Sequence, residues 1–361
     1  MLWIPLHSQT IQSIILDQHT HRPIAGATIF FNGTSLYALS DEQGRFTLSS
    51  KQQINASVIV THVSYNLQTY PYPYTSVPDT IFLQEKTSDI LPVTVNFERY
   101  TRQQKMDVFR RHFLGETRPG KSCTILNEND IQVIYDPMDS TLRAICPKPI
   151  LIYNQYLQYS IQYHLQEFLI QYNRKSLKDR HMIRYRINGS CMFTDQAPDD
   201  PIIEKRRAKI YQRSYTAFFY DLLHQDIDND TLQLSEFRVY GYDSKPISLN
   251  ATHHFSDSLN LHAVTLNFPP EKIFIGKNNP PQNKIYGQLL VSYKNSILSG
   301  IIYRQPMFFL DDFGNFGSDS GIFFEGDMAL QRVGNMLPAN YRPTDITYGN
   351  PWRQYSTIPG R

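Results

Sequence analysis

The amino-acid sequence predicts a mainly β protein of the α+β class, in which an N-terminal β-sandwich is followed by a helical connector and an antiparallel α+β domain. Short runs rich in β-branched and aromatic residues, each bounded by turn-forming residues, recur along the chain and are typical of strands. Aromatic residues make up 13% of the chain and include 24 Tyr and 21 Phe, which suits half-buried sheet faces. Two longer stretches, residues 99–114 and 208–223, instead space their apolar residues as helices do.

The first part of the chain, residues 11–48, contains three short predicted strands joined by turns. The two clearest strands are residues 14–16 and 28–31. Pro23 restricts φ ahead of a strand, while Gly26 and Gly33 supply backbone freedom that residues with a Cβ lack. Residues 41–44 predict a tight turn, because they begin with a side-chain acceptor and end with glycine. This pattern is typical of a small antiparallel sandwich.

Twelve residues of this stretch form a recognisable set. They are Asp17, Pro23, Ile24, Gly26, Ala27, Gly33, Thr34, Ser40, Asp41, Gly44, Phe46 and Leu48. The set resembles the carboxypeptidase-regulatory-like domain, an Ig- or prealbumin-like β-sandwich common in exported proteins of Bacteroidota. The resemblance implies further strands near residues 58–65 and 81–83. In the first strand this chain has Ser13 where the family usually has glycine.

Segments beyond the sandwich extend the resemblance. They are residues 113–117, 121–127, 135–136, 149–150, 241–242 and 332–338. These segments resemble an uncharacterised family of Bacteroidota envelope proteins with the same N-terminal module, and this implies a place in the cell envelope. The predicted division of the chain is a signal-peptide remnant or disordered tail at 1–9, the sandwich at 10–96, a helical connector at 97–115, the α+β domain at 116–338 and a C-terminal tail at 339–361.

The N-terminal stretch is apolar and carries no charge before Asp17. Such a stretch is typical of the end of a secretory signal, so we expect a mature protein that begins near Gln9 and is exported to the periplasm or outer membrane. No later run of about 18 apolar residues predicts a membrane-spanning helix. The 35 Lys and Arg residues nearly balance the 33 Asp and Glu residues, so the overall charge does not favour a nucleic-acid partner.

Beyond the sandwich, strand patterns dominate. Predicted strands lie at residues 131–135, 142–146, 156–163, 167–172 and 183–193, and residues 285–293 and 297–303 form the clearest hairpin. Residues 208–223 predict one continuous helix, and a short helix at 328–333 is predicted to be capped by Asp327. The basic residues of the connector are interpreted as a solvated helix face; they are Arg99, Arg102, Lys105, Arg110 and Arg111.

The name of the resembled module raises the question of a zinc carboxypeptidase. Such enzymes use a His-x-x-Glu pair and a distant histidine, because catalytic zinc takes three protein ligands and keeps one open position. This chain offers His164 and Glu167, with His253 or His254 as a third ligand. However, residues 162–168 are interpreted as the end of one strand and the start of another, without a glycine-rich loop. We therefore predict no metal site and no peptidase activity.

Three further motifs are weighed against simpler interpretations. Residues 317–321, Gly-Ser-Asp-Ser-Gly, lack the glycine that shapes a serine-protease oxyanion loop, so we expect a turn before a strand. Asp226, Asp228 and Asp230 alternate as in a calcium loop, but the required glycine and twelfth-position glutamate are replaced by Thr231 and Phe237. Asp-Thr and Asp-Ser sequences at Thr80, Ser140, Thr231 and Ser258 resemble O-glycosylation acceptors of Bacteroidota.

The cysteines allow two interpretations. Cys123, Cys146 and Cys191 leave one thiol unpaired in any arrangement. Either all three are small buried thiols, or an exported protein bridges Cys123 to Cys146.

Taken together, the sequence predicts a non-enzymatic binding or scaffolding protein of the bacterial cell envelope, with a protein or glycan as partner. We assign no catalytic, cofactor-binding or metal-binding residue, and we expect no cofactor. The alternative is an envelope hydrolase that acts on peptide or glycan through paired carboxylates of the second domain. The candidates for such a pair are Asp195, Asp199, Asp200, Asp311 and Asp312.

Overall fold

The computed structural model confirms a mainly β fold with several antiparallel sheets. It describes residues 9–51, 54–71, 76–86, 99–224, 237–240, 250–256, 259, 261–267, 287–294, 297–317 and 321–343. Within these ranges the chain forms twenty strands and four α-helices. None of the described helices combines the length and the apolar character needed to cross a membrane.

The N-terminal part is a sandwich of two sheets. Its strands are β1 (Gln9–Asp17), β2 (Thr28–Phe31), β3 (Tyr37–Leu39), β4 (Arg45–Ser50), β5 (Val58–His62), β6 (Tyr65–Tyr70) and β7 (Thr80–Leu83). One sheet has the order β4-β1-β7 and the other β3-β2-β5-β6. Ile15, Phe31 and Val60 are fully buried between them. Ser13 takes the place of the glycine that is usual in the family resembled by this part of the sequence. Its hydroxyl donates to the Pro78 carbonyl at 2.7 Å and so connects β1 to the residues before β7.

The predicted turn before β4 forms, and its glycine is required. The Asp41 carboxylate accepts from the main-chain N–H groups of Gln43 at 3.0 Å and Arg45 at 2.8 Å. Gly44 has φ +73°, and a Cβ at this position would lie 2.4 Å from the Ile15 carbonyl oxygen. Glycine is therefore needed both for its conformation and for the close approach of β1.

The middle part is a six-stranded antiparallel sheet covered by a helix. Its strands are β8 (Cys123–Ile125), β9 (Gln132–Asp136), β10 (Thr141–Ile145), β11 (Ile150–Asn154), β12 (Tyr159–Tyr172) and β13 (Met182–Asp195), and its helices are α1 (Arg102–Leu114) and α2 (Arg118–Lys121). Rings of Phe109 and Phe113 on α1 lie 4.8 Å from Phe168 and 5.1 Å from Tyr163 of β12. These contacts form the centre of the largest core.

Two sequence predictions fail in this sheet. The strands expected at 156–163 and 167–172 are one 14-residue strand, β12, because a bulge between Leu165 and Glu167 absorbs the break in alternation. The basic face of α1 is also less solvated than expected. Lys105 is 3% exposed, and Arg102 donates to the carbonyls of Ile131 and Glu128. The helix is therefore docked through part of its basic face.

The third part has two helices and two small sheets. Its elements are α3 (Pro201–Tyr211), α4 (Tyr215–His224), β14 (Phe237–Tyr240), β15 (Asn250–Ser256), β16 (Leu261–Asn267), β17 (Gly287–Tyr293), β18 (Ile297–Tyr303), β19 (Met307–Leu310) and β20 (Ile322–Gly326). The sheets have the orders β14-β17-β18-β20 and β15-β16-β19. Phe218, Phe219 and Phe308 are buried in their shared core. The predicted hairpin is confirmed as β17 and β18.

The helices of this part differ from the predictions. The single helix expected at 208–223 is wrong, because the chain breaks at Ser214, whose hydroxyl accepts from the Ala217 N–H at 3.1 Å and starts a new helix. The short helix expected at 328–333 is replaced by 3₁₀ turns at Met328–Leu330 and Val333–Asn335. Asp327 makes no side-chain cap there and pairs with Arg213 at 3.1 Å.

Candidate binding cleft

The sandwich is joined to the rest of the molecule through the loop that follows β2. The Gly33 N–H donates to the Cys191 carbonyl on β13 at 2.7 Å, and the Phe193 N–H donates to the Thr34 carbonyl at 2.9 Å. The Gly33 carbonyl in turn accepts from the Ala339 N–H at 2.7 Å. The Asn-Gly-Thr sequence of the sandwich therefore binds both the middle sheet and the C-terminal segment.

An apolar contact lies beside this loop. Phe30 and Ile59 of the sandwich form a buried cluster with Met192 of β13. The Phe30 ring also stacks on the imidazole of His164 in β12, with 6.0 Å between centroids. The sandwich thus covers one face of the long β12–β13 hairpin.

A second junction connects the sandwich to the third part of the chain. Phe313, which follows β19, is 6% exposed and belongs to the sandwich core. The neighbouring Asp311 carboxylate is 1% exposed and accepts from the main-chain N–H of Asn55 in the sandwich at 2.9 Å. It also accepts from the N–H groups of Phe313 and Asn315, both at 2.9 Å. Burial raises the pKa of Asp311, while these donors act in the opposite direction.

Arg342 holds the C-terminal segment against this second junction. Its guanidinium lies 4.0 Å from the ring centroid of Tyr220 and 4.7 Å from that of Phe313. It donates to the Asp312 carbonyl at 3.0 Å and to the Tyr211 hydroxyl. Stacking and hydrogen bonding together fix the segment that closes the junction.

A cleft of about 580 Å³ lies between the two junctions. The sandwich, the end of α3, the start of α4, strand β19 and the C-terminal segment all contribute to its lining. Aromatic side chains, including Tyr215, Phe309 and Phe316, alternate there with amides such as Asn32 and Gln331. Among the residues that the structure describes, the lining contains no Asp, Glu, Lys, Arg or His. Such a cleft suits an uncharged ligand, because a buried charge would find no partner.

The structure does not bring together the residues that were weighed as zinc ligands. His164 lies at the sandwich junction, Glu167 pairs with Arg186 at 3.2 Å after the bulge, and His254 belongs to β15 in another sheet. His253 is on β15 as well. The described part of the chain holds no cluster of three or more His, Cys, Asp or Glu side chains able to bind a metal ion.

The candidate carboxylates occupy structural positions outside the cleft lining. Asp195 accepts two hydrogen bonds from Arg207, each 2.7 Å long, and Asp200 caps α3 by accepting from the Ile202 N–H at 2.8 Å. Asp312 contacts His262 at 3.0 Å, Asp311 forms the junction described above, and Asp199 is exposed. The structure therefore places none of them in the cleft.

The remaining motifs are accounted for as follows. The three cysteines are unpaired thiols, so the bridge between Cys123 and Cys146 does not form. Burial raises the pKa of Cys123 and of Cys191 to about 12. Thr80 lies in β7 and Ser140 in the turn between β9 and β10. The positions outside the described residues are Asp226, Asp228, Asp230, Thr231, Ser258 and residues 318–320.

The stacked histidine of the first junction predicts a pH dependence of stability. Burial, with a smaller contribution from the charge of Lys86, lowers the pKa of His164 to about 4, and its Nε2 atom has no hydrogen-bond partner among the described residues. Since the unfolded chain takes up this proton near pH 6.5 and the folded chain only near pH 4, stability falls as the pH drops through this window. We therefore expect the free energy of unfolding, measured with urea, to fall between about pH 7 and pH 4. The fall should be about 2–3 kcal/mol larger for wild type than for His164→Phe.

The control for this experiment is His19→Phe, which makes the same replacement at an exposed turn after β1. This variant should keep the wild-type dependence on pH. If His164→Phe and wild type lose stability in parallel on acidification, His164 is not buried in its neutral form and the proposed linkage is wrong.

Sequence analysis missed the cleft because segments far apart in the chain build it. Phe218 and Phe219 of α4 are buried in the core, whereas Tyr215 packs against that core and also lines the cleft. No pattern within one of these segments indicates the others.

Comparison with known families supports the identity of the first part of the chain only. Residues 12–95 match the CarboxypepD_reg-like domain. A comparison with curated proteins found no match. The match ends before α1, so the middle and third parts are described by their structure alone. The N-terminal sandwich is thus similar to the CarboxypepD_reg-like domain, and its β2–β3 loop is one of the parts that dock onto the rest of the molecule.

Proposed function

We propose that this protein is a non-enzymatic binding protein of the bacterial cell envelope and that the cleft between the sandwich and the third part of the chain holds its partner, a protein or a glycan. The observation that carries the proposal is the uncharged lining of a cleft of about 580 Å³. Its volume is typical of ligand sites, and its mixture of aromatic and amide side chains provides apolar contact together with hydrogen bonding.

The same lining favours binding over catalysis. General acid–base catalysis needs a titratable group within hydrogen-bond reach of the reacting atoms. The described lining consists of aliphatic, aromatic, thioether, hydroxyl and amide groups and holds no Asp, Glu, His, Lys or Cys side chain. Of the carboxylates proposed for a hydrolase, Asp200 caps a helix, Asp195 pairs with Arg207 and Asp311 forms the junction with the sandwich.

The envelope location rests on the resemblance of the N-terminal module to a domain common in exported proteins. The partner would then be a component of the same compartment. Fractionation of cells that make the full chain tests this part of the proposal, and recovery of the protein from the cytosolic fraction would contradict it.

A pair of Met→Trp variants tests the cleft. Met307 lines the cleft and is 41% exposed, so Met307→Trp fills the cleft without entering the core. Met138 is 91% exposed in the turn between β9 and β10, and Met138→Trp is the matched control. We expect wild type and Met138→Trp to recover the same partner from an envelope extract, and Met307→Trp to recover roughly tenfold less because the cleft is blocked.

Two results would contradict the proposal. One is equal recovery of the partner by Met307→Trp and wild type, which would place binding elsewhere. The other is turnover of a peptide or glycan substrate by the pure protein, with loss of turnover in an Asp→Asn variant of the second domain.

A further inference from the structure

We infer that the end of the β12–β13 hairpin is a docking surface for an anionic lipid bilayer. This surface, the basic hairpin end, consists of five cationic residues and one apolar residue: Arg174, Lys175, Lys178, Arg180, Ile183 and Arg184. It shares no residue with the described lining of the cleft, so the inference stands apart from the proposed function.

Positive charge is concentrated in this part of the chain. Residues 174–186 contain six Lys and Arg residues and one acidic residue, which gives the segment a formal charge of +5. The whole chain has a net charge of +2, so the remainder of the chain is net negative. The net positive charge of the protein therefore comes from this segment.

The acidic residue of the segment does not neutralise the surface. Asp179 turns toward α1, where its carboxylate pairs with Arg111 at 2.9 Å and contacts the His112 ring at 3.0 Å. Glu167 pairs with Arg186 at 3.2 Å, and this arginine is left out of the basic hairpin end. The five cationic side chains of the surface are exposed and form no ion pair within the part of the chain that the structure describes.

The β9–β10 turn lies beside the hairpin end, because the Tyr172 N–H donates to the Ser140 carbonyl at 3.0 Å. Its two carboxylates differ in their partners. Asp139 pairs with Arg143 at 2.7 Å, whereas Asp136 accepts from a main-chain N–H of the turn. Only the Asp136 charge in this turn is thus left to oppose the five cations.

The cations lie on a well-defined connection between the two strands. The Asn173 N–H donates to the His181 carbonyl at 2.9 Å, and the Ser176 hydroxyl lies 2.8 Å from His181 Nδ1. The Tyr100 hydroxyl, which precedes α1, donates to the Lys175 carbonyl at 3.2 Å. The fold therefore fixes the positions of the charges before any partner binds.

Three of the cations act on the same imidazole. Burial lowers the pKa of His181, and the charges of Arg174, Arg180 and Lys178 lower it further. The fold thus holds like charges near one another at a cost in Coulomb repulsion, and an anionic partner relieves that repulsion.

An apolar side chain lies among the cations. The register shifts between Gln171 and Tyr172, and this shift makes Ile183 the extra residue of a bulge in β13. The Ile183 side chain is 61% exposed, and the next residue, Arg184, is exposed as well. The bulge therefore presents an aliphatic side chain directly beside a cationic one.

This combination favours a bilayer over other anionic partners. Each Lys or Arg near an anionic leaflet strengthens attachment about fivefold, and an apolar side chain gains further by insertion at the acyl-chain boundary. A soluble polyanion offers no apolar phase to Ile183. Single-stranded nucleic acid is bound through exposed aromatic rings on which its bases stack, whereas the exposed apolar residue here is aliphatic.

Cosedimentation of the full chain with lipid vesicles tests the inference. One set of vesicles is phosphatidylcholine alone, and the other contains about one third phosphatidylglycerol. We expect wild type to bind the anionic vesicles roughly tenfold or more tightly than the neutral ones, and to bind them more weakly as the salt concentration rises.

A pair of double variants tests the charge. Lys175→Gln/Lys178→Gln removes two cations of the surface, and Lys205→Gln/Lys209→Gln removes two exposed cations of α3. Both variants change the net charge equally. We expect the first to bind anionic vesicles roughly tenfold or more weakly than wild type, and the second to change by less than about threefold.

A second pair tests the apolar contact. Ile183→Ser acts at the surface, and Ile202→Ser is the matched control, because Ile202 is 63% exposed on α3. We expect Ile183→Ser to bind anionic vesicles about fivefold more weakly and Ile202→Ser to bind like wild type.

Several outcomes would overturn the inference. They are equal binding of wild type to both kinds of vesicle, equal loss in the two double-lysine variants, and unchanged binding by Ile183→Ser. Binding of a single-stranded oligonucleotide without binding of vesicles would assign the surface to a soluble polyanion instead. The wild-type comparison of the two vesicles stays decisive if a variant fails to fold, and Met307→Trp tests the cleft separately.

Discussion

Replacement of Arg207 with methionine is expected to lower the free energy of unfolding by about 3 kcal/mol, because it leaves several buried groups without their donor. The Arg207 side chain is 3% exposed and donates two hydrogen bonds of 2.7 Å to Asp195. It also donates to the carbonyls of Leu157 at 2.9 Å and Gln158 at 3.1 Å, and its guanidinium lies 3.9 Å from the Tyr159 ring centroid. Urea unfolding measures the loss.

Arg206→Met is the matched control, since the same substitution at the preceding residue removes a half-buried guanidinium that stacks on Tyr156 at 4.9 Å. We expect this variant to lower the free energy of unfolding by less than about 1 kcal/mol. Equal losses in the two variants would show that the bonds to Asp195 and the two carbonyls contribute little. The expected difference assigns Asp195 to the structure of the second domain, where sequence analysis had considered it as a candidate hydrolase carboxylate.

Replacement of Asp311 with alanine is expected to lower the free energy of unfolding by about 3–5 kcal/mol. It should also weaken the contact between the sandwich and the third part of the chain. The buried carboxylate is the acceptor for the main-chain N–H groups of Asn55, Phe313 and Asn315, and alanine offers them no acceptor. Urea unfolding gives the total cost. Amide hydrogen exchange tests the junction itself, because the Asn55 N–H should exchange faster once its acceptor on the other part of the chain is absent.

Asp199→Ala provides the control for this variant, because Asp199 is exposed and its loss should change stability by less than about 0.5 kcal/mol. Two results together would show that the carboxylate does not hold the junction. Asp311→Ala would unfold at the same urea concentration as wild type, and its Asn55 N–H would exchange as slowly as in wild type. The second junction would then depend on Phe313 and Arg342.

The two predictions concern the surroundings of Asp195 and Asp311, and sequence alone could not tell whether these carboxylates are structural or catalytic. A carboxylate's role depends on which groups face it. Asp195 is opposed by a guanidinium twelve residues away on α3, whereas Asp311 is opposed by a main-chain N–H that lies 256 residues away in the sandwich. No local pattern encodes a partner at that separation.

Features with local causes were predicted well. The turn at Asp41 and Gly44 depends on a side-chain acceptor and a glycine three positions apart, and both act within the turn itself. The connector helix begins at Arg102 because Thr101 and Gln104 form a capping box. The β17–β18 hairpin joins two adjacent apolar segments. Each of these signals operates over a few residues.

Features that depend on packing were predicted incorrectly or missed. The aromatic spacing of residues 208–223 continues through the break at Ser214, because both helices place their rings in the same core. The bulge at Leu165 interrupts alternation without ending the strand, since β13 pairs with β12 on both sides of it. In each case the tertiary contacts compensate for a local irregularity that the sequence pattern treats as an end or a continuation.

The sequence by itself therefore determined the mainly β class, the sandwich with its tight turn, the connector helix and the central hairpin, because propensity, turn chemistry and capping act between near neighbours. Only the tertiary structure decided that the Gly33 loop and the Asp311 carboxylate dock the sandwich, and that the described side chains lining the resulting cleft are uncharged. Those features bring together segments far apart in the chain, and their register is set by the packing of whole elements.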